Sequence, residues 1–142
     1  MQFLKMKIQC LFSWRKQDEQ IRNEEIVIVN KKFVEKIYKV IVEDGVAEYK
    51  DLLDNTPVKN ATDKYWIKAL ELYEKLTSEE KEKMLKFAEL IMIDTISSVF
   101  GILDGSSTLS GGNFEFEVKI NDISTEDELQ DTFLEFVEEN NN

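Results

Sequence analysis

Histidine is missing from this chain of 142 residues, and cysteine and proline occur once each. Without an imidazole there is no usual general base, no Ser-His or Cys-His nucleophile pair, and no nitrogen ligand of the kind catalytic zinc favours. The lone thiol, Cys10, excludes an intramolecular disulfide and a thiolate metal site. It also points away from the oxidising compartments where small stapled domains live, so the cytoplasm is the expected location. Five glycines and one proline are too few for a loop-rich or all-β chain. A phosphate-cradling glycine loop is absent too, because Gly101, Gly105, Gly111 and Gly112 lack its spacing and its strand-before-helix setting. Long apolar runs are interrupted. Lys5, Lys7 and Gln9 break the apolar core that a signal peptide would need, and Lys86, Glu89 and Asp94 stand inside the one stretch long enough to raise the question of a membrane span.

What is present is material for a core: 42% of residues are hydrophobic and 11% aromatic, enough for one domain over residues 1–142. The formal charge of -11 is unevenly spread. Residues 1–103 hold 18 acidic and 17 basic side chains, net -1, whereas residues 104–142 hold 11 acidic and one basic, Lys119, net -10. Such a surface repels nucleic acid and anionic membrane, and attracts a partner with a basic surface.

Helical periodicity dominates the pattern and predicts a mainly α fold, a compact helical domain around a buried central helix. A first helix is expected over residues 30–44, with Phe33, Ile37 and Ile41 on its apolar stripe and Val34 and Tyr38 beside it, Asn30 as its cap and Gly45 as its stop. Short and medium helices follow at 46–54 and 63–76, separated by a turn at Asn55-Thr56-Pro57. Thr77 and Glu80 form a capping box that opens the central helix, 77–103, whose residues from Met84 onward leave almost no polar face. Residues 104–113 read as a flexible loop. Phe114, Phe116, Val118 and Ile120 alternate with polar residues, the mark of a half-buried strand over 114–120. A second capping box, Thr125 with Glu128, predicts a last helix with Leu129, Phe133, Phe136 and Val137 inward, before a disordered tail at 140–142. The strand needs a partner, either the N-terminal segment, residues 26–29, or another chain. Residues 1–24 fit a helix and a strand about equally.

Two groups of residues stand out chemically. Asp94, with Ser97 and Ser98 a turn later, falls in the apolar heart of the central helix, which predicts a buried polar cluster, structural or in contact with a ligand. Asp127, Asp131, Glu135 and Glu138 recur down the last helix with no Lys or Arg between them, and Glu115 and Glu117 extend the acidity onto the strand. Like charges at that spacing weaken a helix by a few tenths of a kcal/mol per pair, so the stripe is either a solubilising surface or a docking face for a basic partner. Carboxylate-only catalysis or metal binding is less favoured, and no cofactor or metal is expected.

The run Asp94-Thr-Ile-Ser-Ser-Val-Phe-Gly-Ile-Leu-Asp-Gly-Ser-Ser107, with Phe114-Glu-Phe and Leu129-Gln-Asp-Thr-Phe-Leu134, resembles small bacterial proteins of the toxin-immunity type. That resemblance covers the C-terminal third. It implies a non-catalytic inhibitor that blocks a basic toxin through the acidic residues above. The alternative is a general interaction or regulatory module, with a homodimer among its forms.

Overall fold

The computed structural model describes the backbone of residues 2–141 and the side chains of Gln9 and residues 13–141. The fold is mainly α. Helix α1 (Gln2–Ile37) passes into a wide π turn (Tyr38–Glu43) and then into α2 (Asp44–Asn55); α3 (Lys64–Tyr73), α4 (Ser78–Leu103), a two-stranded hairpin and α5 (Leu129–Asn140) follow. The N-terminal segment is therefore helical. Asn30 and Gly45 both lie inside helix and neither caps nor ends one. Asn30 is instead buried in mid-helix, where its Nδ2 donates to the Thr125 carbonyl at 3.0 Å. A tertiary hydrogen bond has taken the amide that local spacing assigned to a cap. The buried side centres on Val34 and Tyr38, the residues expected beside the stripe, with Val42, while Ile41 is exposed.

The chain divides into two compact units, Met1–Val34 with Phe100–Asn142, and Glu35–Val99. In the second unit Leu53, Leu70, Tyr73 and Leu85 form a core backed by Val46, Trp66, Leu76 and Met84. Proline and polar residues after Asn55 stop α2, and Asp63 caps α3 by accepting from the backbone N–H of Tyr65 and Trp66, both at 2.9 Å. The Thr77–Glu80 capping box forms as expected, the Thr77 N–H donating to the Glu80 carboxylate at 2.8 Å and the Glu80 N–H to the Thr77 hydroxyl at 3.3 Å.

Helix α4 is not enclosed on all sides. Leu85, Ile93 and Ile96 are buried, but Phe87, Leu90, Ile91 and Val99 stay about half or more exposed. Asp94 and Ser98 lie on the open side and Ser97 is half-buried, so the expected buried polar cluster does not exist. The composition of the helix fixed how apolar it is, not how much of that surface its neighbours cover.

In the first unit Phe100 packs against Phe33 (centroids 6.1 Å apart) and, edge to face, against Phe133 (5.6 Å), while Leu129 and Phe133 are fully buried. The strand predicted over 114–120 is only Lys119–Ile120, and its partner is Ile123–Ser124, the very next segment. Asn121 and Asp122 both take positive φ (51° and 64°), the two-residue turn whose twist suits a hairpin. With its partner so close, the ladder ends after two residues a side. Phe114 and Phe116 are left exposed, contrary to the alternation.

Candidate functional site

The acidic region is built around the start of α5. The expected Thr125–Glu128 capping box is not formed. Glu126 and Asp127 turn left-handed (φ 52° and 57°), the Glu128 N–H donates to the Thr125 carbonyl at 3.2 Å, and the helix begins only at Leu129. The cap comes from elsewhere in the chain. Asp104, just past α4, accepts the Gln130 N–H through Oδ2 at 2.7 Å, placing a carboxylate at the positive end of the helix dipole. Gly105 (φ 75°) makes this possible by reversing the chain in a left-handed conformation that only glycine adopts freely. Ser106 adds a contact, its hydroxyl 2.8 Å from Gln130 Oε1.

Asp104 Oδ1 is inaccessible to water and has no hydrogen-bond partner. Desolvation, joined by the nearby charges of Asp127 and Asp131, raises the Asp104 pKa above the ordinary carboxylate value, against the lowering effect of the Gln130 and Leu129 N–H groups. Sequence reading assigned Asp104 no capping role; an Asp followed by Gly at the end of a long helix was the available signal.

The predicted acidic residues divide into three sets. Asp131, Glu135 and Glu138 share one exposed face of α5, opposite Leu129 and Phe133. Asp127 is exposed but precedes the helix, in the left-handed turn beside Asp104, because the helix starts later than its sequence signature implies. Glu115 and Glu117 are exposed on irregular chain, and Glu117 pairs with Lys119 at 2.9 Å. On that same stretch Phe114 and Phe116 lie exposed with ring centroids 6.3 Å apart, and they line a small cleft of about 150 Å³ with Ile102 and Leu109. Solvent-facing aromatics flanked by carboxylates were not foreseen from the sequence, where the period-two pattern assigned them to a core. At the far end of α5, Glu139 meets Lys31 at 3.7 Å in a well-exposed pair.

Among the described residues no three His, Cys, Asp or Glu side chains are grouped to hold a metal ion, and no helix is long and apolar enough to cross a membrane. No family model, curated protein or solved structure matches the chain.

Proposed function

We propose that this protein acts by binding, and that its acidic C-terminal region docks a protein partner with a basic surface. The observation that supports this best is the exposed face of α5, where Asp131, Glu135 and Glu138 stand together with no basic residue on the helix. The exposed Phe114 and Phe116 supply what charge alone lacks. Aromatic anchors beside a small cleft of mixed polar and apolar lining carry binding energy, while carboxylates speed encounter and select the sign of the partner. The finer reading is an immunity-type inhibitor of a basic toxin, a role that needs complementarity and no catalytic group.

The test is affinity capture from the native host lysate, comparing wild type with the triple variant Asp131→Asn, Glu135→Gln, Glu138→Gln and with Phe114→Ala, Phe116→Ala. One identified basic protein should be held by wild type, released by added salt, and lost from both variants. Equal capture by all three would reject the face. Expressing that partner alone then tests the finer reading: growth arrest relieved by co-expression supports the inhibitor role, and harmless expression rejects it.

A further inference from the structure

The open side of α4 carries a second, separate pattern. Lys83, Phe87, Leu90 and Asp94 are all exposed and follow one another at spacings of four, three and four residues, which aligns them as a single seam along the helix. Leu85, Ile93 and Ile96 face the other way, into the fold. A seam with this spacing is the surface through which two helices pair, and its two apolar members are more than half exposed, Phe87 at 62% and Leu90 at 51%. Ile91, 49% exposed, widens the patch on one flank.

The order of charges selects the occupant. The seam begins with a lysine and ends with an aspartate, so its ends are of opposite sign. If a second copy lies antiparallel with the two-fold axis midway between Phe87 and Leu90, Phe87 of each copy meets Leu90 of the other. In the same register Lys83 of each copy meets Asp94 of the other. Four layers are satisfied at once, two apolar in the middle and an ion pair at each end. A parallel pair would set lysine against lysine and aspartate against aspartate, so the charges fix direction as well as register. Lys83 is available for this. Its present partner, Glu79 at 2.6 Å, forms a pair about three-quarters exposed on both sides, of the kind that holds a side chain only weakly.

We infer that α4 pairs with α4 of a second copy of this chain, antiparallel, through Lys83, Phe87, Leu90 and Asp94. This interface is independent of the acidic face on α5. It also explains why Asp94, in an apolar stretch, needs no partner inside its own fold: the carboxylate terminates the seam.

Sedimentation equilibrium over a wide concentration range, on wild type and charge-swap variants, tests the inference. Wild type should move from monomer to dimer with concentration. Lys83→Glu and Asp94→Lys, which set like charges opposite each other, should each weaken self-association about tenfold. The double variant, Lys83→Glu with Asp94→Lys, should regain it, and so should an equimolar mixture of the two single variants. Phe87→Glu should be monomeric at every concentration, with an unchanged circular dichroism spectrum because the side chain is outside the core. A wild type that stays monomeric throughout overturns the inference. So do single swaps that associate as wild type does, or a double swap that regains nothing.

Discussion

Asp104 is the residue at which local chemistry departs furthest from an ordinary surface carboxylate. One oxygen caps α5 and the other is shut from water without a donor. Because its folded pKa is raised, the folded chain holds this proton more tightly than the unfolded chain does. Its contribution to stability is therefore fully present below the unfolded value, about 4, and is lost as the pH rises through the raised folded value. Asp104→Asn keeps an acceptor for the Gln130 N–H and cannot ionise. Across the window just above about pH 4, the variant should gain stability relative to wild type, and the difference should level off once Asp104 is fully ionised. Paired denaturant titrations over that window measure this, since the difference between the two proteins cancels the other carboxylates. A constant difference would mean that burial does not perturb Asp104.

Helix α2 offers the sharper test among the elements. Gly45 was expected to end a helix and instead sits within one, where a Cβ would find only Met92 and the Val40 carbonyl at 3.9 Å, an ordinary contact. Gly45→Ala should stabilise the chain by about 0.5–1 kcal/mol through reduced backbone entropy in the unfolded state. Gly101→Ala should gain less than Gly45→Ala, because a Cβ there would come within 2.7 Å of the Gln130 side-chain amide, whose flexible end would have to swing away from Ser106. Thermal melts of both decide it, and a Gly45→Ala loss would place a break at that glycine. The contrast also marks what sequence reading reached. The box at Thr77–Glu80 was legible because both of its hydrogen bonds lie within four residues. The same signature at Thr125–Glu128 was overridden by Asp104, a residue no local window includes. Helical periodicity placed Asp131, Glu135 and Glu138 on one face correctly. It misplaced Asp127, because the left-handed pair Glu126 and Asp127 delays the helix. The exposure of Phe114 and Phe116 depended on how short a ladder the Asn121-Asp122 turn would close, and that of Asp94 on how little of α4 its neighbours would cover.

For the molecule as a whole, a net charge of -11, ten of it in residues 104–142, means that folding gathers like charges. Added sodium chloride should raise the melting midpoint from low ionic strength up to about 0.15 M, where the screening length has fallen to about 8 Å. Scanning calorimetry in a salt series would show this, and a falling midpoint would mean that ion pairs such as Lys50–Asp54 and Lys86–Glu89 outweigh the repulsion. The two units also differ in when their parts exist. Glu35–Val99 is one uninterrupted stretch, whereas the other unit joins the beginning of the chain to its end, as when Asn30 meets Thr125 across 95 positions. A ribosome making this chain completes the uninterrupted unit first. Ile26, Val34 and Phe100 must then wait for Leu129 and Phe133 to emerge. Through that interval the nascent protein presents an apolar strip of the kind holding chaperones recognise, and its safe arrival depends on how quickly the segment through Phe133 follows.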